Sequence, residues 1–237
     1  MIRTTRKAAL AVLTIVAALT ACEHVSETRT ARESVELGGA ASADVLIKMG
    51  AGELELAGGA QGLMDASFTT NVRRWEPRVE YDVFGGKGRL SVRQRRSGGL
   101  FLGHSKNEWT IRLGGGAPID LTVDLGAGKS ELDLRGLDLS ALEIDMGVGE
   151  MTLNLSGPLK KSLQVSIDGG IGHGTIVLPR DVGVKVDIDG GLGSVDAHGL
   201  NRTGRGHVYT NDAWGRGGVS LEIKIDAGIG SIDLKIP

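Results

Sequence analysis

The chain has 237 residues, a formal net charge of −2 at neutral pH and 38 glycines. Only 3% of its residues are aromatic. Such a chain has no excess of basic residues to neutralise phosphates and few aromatic side chains to stack on bases. Nucleic-acid-binding classes are therefore excluded. The length allows one domain or two small ones.

The first 21 residues have the features of a secretory signal. A basic head precedes an apolar run over residues 8–19, which is too short to span a bilayer as a permanent helix. The run leads into LTAC, which resembles the bacterial lipobox, whose cysteine is diacylated and becomes the new N-terminus. Cys22 is the only cysteine of the chain, so an intramolecular disulfide is excluded. We predict a lipoprotein signal peptide over 1–21 and lipidation at Cys22; ordinary cleavage that leaves a free thiol is the alternative.

A diacylated cysteine anchors a chain to a membrane without spanning it, so we expect a lipid-anchored protein of the cell envelope. In a Gram-negative cell, Glu23 favours the outer membrane, facing the periplasm, because an aspartate there is associated with inner-membrane retention. Residues 22–33 are polar and predict a tether between the lipid and the folded part. Cleavage removes three basic residues and leaves 24 basic against 29 acidic side chains, a net charge of −5.

Residues 34–118 are predicted to form the N-terminal part of the folded region, with an inserted β-hairpin. Residues 78–84 and 89–94 alternate as strands around a Gly-Gly-Lys-Gly turn. Residues 107–113 predict a third strand. We expect the aromatic side chains of this part to cap a sheet edge that would otherwise be open.

A run of arginines ends this hairpin. Arg93, Arg95 and Arg96 are accompanied by three further arginines between residues 73 and 78. On an acidic, lipid-anchored chain, such a patch suits phosphorylated lipids or anionic wall polymers. The alternative is one solvated polar face of a hairpin.

Residues 119–237 repeat a short unit, and one earlier copy opens the N-terminal part. Each unit has an alternating strand, a Gly-x-Gly corner and a second strand. The first glycines of the triplets are Gly50, Gly126, Gly147, Gly170, Gly191 and Gly228.

The period of two assigns the faces of each unit. Leu121, Val123 and Leu125 point one way, while Thr122 and Asp124 point the other. A unit this small cannot bury its apolar face alone, so the units must stack, and glycine corners allow the close approach. We therefore predict an all-β fold: a right-handed parallel β-solenoid or a closely related stacked-strand domain, with the hairpin inserted near its N-terminus.

An aspartate recurs just before the glycine corners and is expected to form an outward column. Like charges one strand spacing apart repel, so the column either has counter-charges or binds cations. The calcium-binding Gly-Gly-x-Gly-x-Asp pattern is not met, since its aspartate position holds Gly174 and Val195. A solvated face is the alternative to a metal site. The members are Asp124, Asp145, Asp168, Asp189 and Asp226.

The sequence gives only weak support for nucleotide binding, zinc binding or catalysis. The segment ending in Gly128-Lys129-Ser130 lacks the first glycine of a P-loop, and its continuation alternates as a strand, so no nucleotide is expected. His173 and His198 are expected near one another on adjacent units, without the further ligands that zinc needs. Short loops and the lack of a Gly-x-Ser-x-Gly motif argue against an enzyme, and no cofactor is expected.

Several segments together resemble the toast-rack proteins, which are related to the LiaF-like cell-wall-active antibiotic response family. The segments are GAGELELAGGAQGLMDASF (50–68), WEPRVEYDVFGGKGRLSVRQ (75–94), NEWTIRL (107–113) and PIDLTVDLGAGKSELDLRGLDLSALEIDMGVGEMTLNL (118–155). The resemblance implies an all-β stacked-strand domain in the bacterial envelope, and it implies no catalytic residues. LiaF-like regulators carry transmembrane helices, which this chain replaces with a lipid anchor.

We accordingly expect a lipid-anchored envelope protein that acts as a non-catalytic binding, stress-sensing or adaptor module. Its partners would be the membrane, through the lipid, and another envelope protein or a wall polymer. The alternatives are a carbohydrate-active enzyme on a β-solenoid, in which acidic side chains share a strand face, and an adhesin or structural spacer.

Overall fold

The computed structural model describes residues 27–95, 105–170, 172–191, 193–204, 206–228 and 230–237. These residues form strands, with a single 3-10 turn at Arg73–Trp75. The strands are β1 (Arg29–Val35), β2 (Ser42–Gly58), β3 (Met64–Thr70), β4 (Pro77–Phe84), β5 (Lys87–Gln94), β6 (Asn107–Leu113), β7 (Ile119–Asp133), β8 (Leu139–Asn154), β9 (Leu163–Gly169), β10 (His173–Val177), β11 (Gly183–Gly190), β12 (Ser194–His198), β13 (Asn201–Thr203), β14 (His207–Thr210), β15 (Ser220–Ala227) and β16 (Ser231–Lys235). Within the described ranges, no helix is long and apolar enough to cross a membrane.

The strands form two layers that are joined at the glycine corners. The long strands β2, β7 and β8 run through both layers, one half in each. The first layer has the order β4-β5-β2-β7-β8-β9-β15-β11-β14-β13. The second layer has the order β1-β3-β6-β2-β7-β8-β10-β16-β12. The predicted all-β, stacked-strand architecture is therefore confirmed.

The core lies between the layers and is built from the alternate side chains of both. In β7, Leu121, Val123 and Leu125 are buried before the corner, and Leu132 is buried after it. The same alternation continues in β8, and the inward side chains of both layers belong to one hydrophobic cluster. The faces predicted from the period of two are thus the observed ones.

The corners are places where the backbones of successive units approach more closely than a side chain allows. A Cβ built on Gly126 would lie 2.2 Å from the carbonyl oxygen of Gly50. One built on Gly147 would lie 2.0 Å from the carbonyl oxygen of Gly126. Gly128 adds a second requirement, because its φ of 134° is one that other residues rarely adopt. The glycines are therefore required by stacking, as the sequence predicts.

The order of the units in the stack differs from their order in the chain. The last unit, β15 and β16, lies between the unit of β9 and β10 and the unit of β11 and β12. The segment that precedes it forms the strands β13 and β14, and β14 pairs antiparallel with the outer edge of β11. With that edge occupied, β15 pairs with the inner edge of β11, in parallel register.

The N-terminal part caps the other end of the stack. The predicted hairpin is β4 and β5, with Gly85 and Gly86 at the turn, and β5 pairs with β2 in the first layer. The predicted strand 107–113 is β6, and it pairs with β3 beside the second-layer half of β2. Phe68 and Trp109 pack edge to face between β3 and β6, with ring centroids 5.2 Å apart. The aromatic cap expected at this end is therefore present.

Strand β1 was not expected from the sequence. It begins at Arg29 and pairs antiparallel with β3, so the tether predicted over 22–33 overlaps a paired strand from residue 29 on. Its side chains are mostly exposed and polar, which is why no apolar alternation marks it. The predicted signal peptide over 1–21 and Cys22 lie outside the described residues.

The corner stacking can be tested at Gly147, because its φ is not positive and only the steric contact forbids a side chain. We expect Gly147→Ala to lower the unfolding free energy by about 2–4 kcal/mol in urea denaturation, since the methyl group must push two strands apart. Gly116→Ala is the matched control: the nearest atom to its Cβ is 3.9 Å away, and a change below about 1 kcal/mol is expected. Equal effects at the two positions would contradict the account.

Candidate functional site

The outer face of the first layer brings the predicted aspartates together in one row. Each aspartate lies directly opposite the next in the parallel pairing. Because β15 lies between β9 and β11, Asp226 comes before Asp189 in the order across the sheet, although it follows Asp189 in the chain. The aspartate row is Asp124, Asp145, Asp168, Asp226 and Asp189.

One end of the aspartate row is closed by a lysine. Lys48 of β2 lies opposite Asp124, and its Nζ donates a hydrogen bond to that carboxylate. The first unit carries IKMGAG where the next carries VDLGAG, so Lys48 occupies the aspartate position of its own unit. Aligning the Gly-x-Gly triplets in the sequence would have identified Lys48 as a counter-charge at the end of the row.

The rest of the aspartate row has few counter-charges. The Oγ of Ser166 donates a hydrogen bond of 3.3 Å to Asp168. Lys224 lines a depression of about 290 Å³ together with Asp168, Asp226 and Asp189. Asp145 lies between two carboxylates, one strand spacing of about 4.8 Å from each, and makes no ion pair with any described residue.

The aspartate row does not form a chelating cluster. Within the described ranges, no three histidine, cysteine or acidic side chains converge in a way that could hold a metal ion. A row on one sheet face presents its carboxylates side by side, whereas calcium takes six to eight oxygen ligands around one point. The geometry therefore favours a charged, solvated surface over a metal centre.

Beside the aspartate row lie two further rows of outward side chains. Thr122, Glu143 and Lys224 belong to the middle row, and they line an open groove of about 430 Å³. In the outermost row, Lys185 and Glu222 form an ion pair of 2.7 Å. The hydrogen bond that Lys185 donates to the Glu222 carboxylate is the main cause of the raised pKa of Lys185. Six parallel strands thus carry a continuous surface of mainly charged and polar side chains, and most of the charges are acidic.

The arginines form a second surface at the edge of the first layer. Arg78 lies opposite Arg93 in the β4–β5 hairpin, and Arg95 follows the end of β5. The 3-10 turn adds Arg73 and Arg74, and all five line one depression of about 740 Å³, which we call the arginine cleft. Of the predicted patch, Arg93 and Arg95 therefore lie with the three arginines between residues 73 and 78, and Arg96 lies outside the described residues.

The histidines are not neighbours. His173 is on β10 and His198 is on β12, and β16 lies between them. The Nδ1 of His173 is 2.7 Å from the Oγ of Ser231, and its Nε2 is 3.9 Å from a carboxylate oxygen of Asp233. The expected adjacency was wrong for two reasons: β16 lies between the two strands, and the register places His173 level with Ser194, four residues before His198.

The segment that resembles a P-loop is part of strand β7. Ser130 is buried, with 1% of its surface exposed, while Lys129 is exposed on the opposite side of the strand. The two side chains cannot face one phosphate, and the chain continues as a strand instead of the helix that a P-loop requires.

Comparison with known proteins identifies the family. The model of the N-terminal domain of toast_rack, DUF2154, matches residues 24–177, which is more than half of the chain. The chain belongs to the toast-rack family. The relation to the LiaF-like family that the resemblance implied stays a prediction. No curated protein matches the chain.

Two of the solved structures that match this toast-rack chain are described as candidate adhesion proteins. A candidate cell adhesion protein from Clostridium sporogenes is 31% identical and has a TM-score of 0.82, covering 89% of this chain and 100% of its own. A candidate adhesin from Bacteroides fragilis is 13% identical, with a TM-score of 0.30, covering 88% and 97% of the two chains. The second likeness is too weak to carry an argument.

The toast-rack model ends at the last residue of β10, so the units of β11–β12 and β15–β16 lie outside the match. Strands β11 and β15 supply Asp189 and Asp226 of the aspartate row. The other three aspartates and all five arginines of the cleft lie inside the matched part.

The repulsion between carboxylates of the aspartate row can be tested by a substitution at Asp145. We expect Asp145→Asn to raise the unfolding free energy by about 0.5 kcal/mol at low ionic strength, because it removes a charge flanked by two like charges. The gain should shrink in high salt, which screens exposed charges. Urea denaturation at two salt concentrations measures both effects.

The control for this prediction is Asp124→Asn, which removes an equal charge but also the partner of Lys48. We expect no gain from it at either salt concentration. A salt-independent gain at Asp145, or an equal gain at both positions, would contradict the repulsion.

Proposed function

We propose that this toast-rack chain is a lipid-anchored, non-catalytic binding module of the adhesion type in the cell envelope. The observation that carries the proposal is the outer face of the first layer, where six parallel strands hold three rows of charged and polar side chains in register. Such a surface offers many equally spaced contacts to an extended or flat partner.

The relative from Clostridium sporogenes supports adhesion over the other binding roles. Its whole length is covered by this chain at 31% identity, and it is described as a candidate cell adhesion protein. Stress sensing and an adaptor role rest on the resemblance to LiaF-like proteins alone. We therefore rank an adhesin first and a sensing module second.

The distribution of carboxylates supports a non-catalytic role. Glycoside hydrolysis needs two carboxyl groups on opposite sides of a bond, in a site that separates their pKa values. Here the carboxylates of the aspartate row point outward from one sheet face, and neighbouring members are one strand spacing apart. A substrate could meet them only from one side.

Lipidation of Cys22 would place the domain at the membrane surface in the cell envelope, where a binding module of this type would act. The basic head, the apolar run and LTAC precede the cysteine, and the toast-rack match begins two residues after it. A diacylated N-terminus would hold the module at the membrane surface. If the cell is Gram-negative, Glu23 favours the outer membrane, facing the periplasm.

The binding face can be tested by photo-crosslinking in isolated cell-envelope fractions, to which purified protein can be added. Glu143 and Thr152 are both on β8, but Glu143 faces outward from the first layer and Thr152 faces outward from the second. A photoreactive residue at 143 should give one defined crosslinked product of higher mass, and the same residue at 152 should not. An excess of purified unlabelled chain should compete the product away.

A competitor with the altered face makes the result specific. A purified Glu143→Arg, Lys224→Glu chain carries two changes in the middle row and should no longer compete. Equal products from positions 143 and 152, or undiminished competition by the altered chain, would overturn the proposed binding face.

A further inference from the structure

We infer that the arginine cleft docks the domain onto the anionic phospholipid headgroups of the membrane that holds its own lipid anchor. The inference rests on the proposed lipidation of Cys22 and adds a second membrane contact that is made by the folded domain. It concerns the edge of the stack, whereas the proposed binding face lies on the outer surface of the first layer.

The cleft is formed by two elements that meet at the open end of the β4–β5 hairpin. Trp75 is buried, with 7% of its surface exposed, and so fixes the 3-10 turn that presents the exposed Arg73 and Arg74. Arg78 and Arg93 lie opposite each other on the hairpin. The resulting depression of about 740 Å³ is large enough for phosphate groups to enter beside the guanidinium groups.

The charge of the cleft is unbalanced. Its lining contains five arginines and one acidic residue, Glu80, which pairs with Arg78 at 2.6 Å. The side chains of Arg73, Arg93 and Arg95 make no ion pair or hydrogen bond with any described residue. Since the chain after cleavage has a net charge of −5, this cleft is a positive region on an otherwise acidic protein.

Hydrogen bonds hold the walls of the cleft in place. The amide of Gly50 donates a bond of 2.8 Å to Oε1 of Gln94, next to Arg93. The Nδ2 of Asn107 donates to the same oxygen at 3.3 Å and to the carbonyl of Ala51 at 2.6 Å. These bonds fix the end of β5 to the first glycine corner, so the arginine positions are set by the rigid stack.

The path of the chain identifies the membrane as the partner. Arg29, at the start of β1, lies opposite Thr70 at the end of β3. Thr70 leads directly to the 3-10 turn, and hydrogen bonds between its Oγ1 and the backbone of Val72 close the intervening bend. The folded domain therefore begins beside the cleft.

The segment between the anchor and the fold is too short to carry the cleft away from the membrane. Arg29 is the seventh residue after Cys22, and a fully extended segment of seven residues spans at most about 25 Å. A lipid at Cys22 would therefore bring the cleft near the headgroups, which are the first phosphates within reach. Guanidinium groups suit these phosphates because they bind them in a bidentate manner.

A contact by the cleft would add to the anchoring by the lipid. A diacylated cysteine already holds a chain at the membrane, and each cation near an anionic surface adds to the affinity. The cleft would in addition orient the domain, so that the stack projects from the membrane in one direction. The cleft lining contains no aromatic side chain for base stacking, which disfavours a nucleic acid.

Vesicle binding tests the inference without the lipid. The chain is expressed without residues 1–21 and with Cys22→Ser, and its binding is measured on phosphatidylcholine vesicles with and without phosphatidylglycerol. We expect binding only to the anionic vesicles, and we expect it to weaken as salt is raised. The cleft variant Arg73→Ser, Arg93→Ser, Arg95→Ser should bind about tenfold to a hundredfold more weakly.

The matched control removes three exposed arginines elsewhere: Arg112→Ser, Arg180→Ser, Arg216→Ser. It changes the net charge equally and should bind within about twofold of the parent chain, because it leaves the cleft intact. Thermal melting shows that each variant is folded. Equal weakening in the two triple variants, or no preference of the parent chain for anionic vesicles, would overturn the inference.

Two further measurements separate the alternatives. A soluble glycerol-phosphate polymer, a model of a wall polymer, should compete less well than vesicles at equal phosphate; better competition by the polymer would overturn the assignment to lipid. In cells, an alkynyl fatty acid should label the wild-type chain and not Cys22→Ser. If the wild-type chain is labelled but does not bind vesicles, the membrane contact of the cleft is overturned and the lipid anchor stands. If the chain binds vesicles but is not labelled, the lipid anchor is overturned, together with the argument from the length of the tether.

Discussion

The structure depends on the close approach of glycine backbones at the corners of the stack. A Cβ on Gly147 would meet the carbonyl oxygen of Gly126 at 2.0 Å, and the preceding corner repeats this contact with Gly50. Since no side chain fits where these glycines meet, the glycine corners of neighbouring units stack directly on one another and set the register between the units. That register aligns the inward leucines, isoleucines and valines into one core and the outward aspartates into one row. The surface rows are therefore a consequence of the packing at the corners.

The local features of this fold follow from the sequence, and its long-range order does not. The period of two assigns Leu121, Val123 and Leu125 to the core, and the Gly-Gly turn marks the β4–β5 hairpin. The position of β15 between β9 and β11 could not be predicted, because every unit offers similar edges and the pattern does not distinguish them. The exposed strand β1 was missed because edge strands need no apolar alternation. Of the site, the aspartates and arginines were visible as residues, but the joining of Arg73 and Arg93 in one cleft depends on tertiary contacts.

Under the two proposals, the two charged surfaces would have different functions. The arginine cleft lies at the end of the stack where the chain enters, and the aspartate row runs across the strands from Asp124 to Asp189, at the other end of the stack. An anionic membrane would attract the first surface and repel the second. The toast-rack domain would thus stand on the membrane by one end and expose its rows to a partner. Within this arrangement, anchoring and adhesion would use different parts of one rigid domain.

The register and the order of the stack can be tested directly with paired cysteines in a Cys22→Ser background. Asp168 lies opposite Asp226, one strand spacing of about 4.8 Å away, which is inside the Cα separation of roughly 4.4–6.8 Å that disulfides need. Asp189 is two spacings, or about 9.6 Å, from Asp168. The account predicts that Asp168→Cys, Asp226→Cys forms a disulfide within the chain on mild oxidation and that Asp168→Cys, Asp189→Cys keeps its free thiols, as counted by thiol titration. A disulfide in the second pair and free thiols in the first would show that the units stack in chain order and would contradict the account.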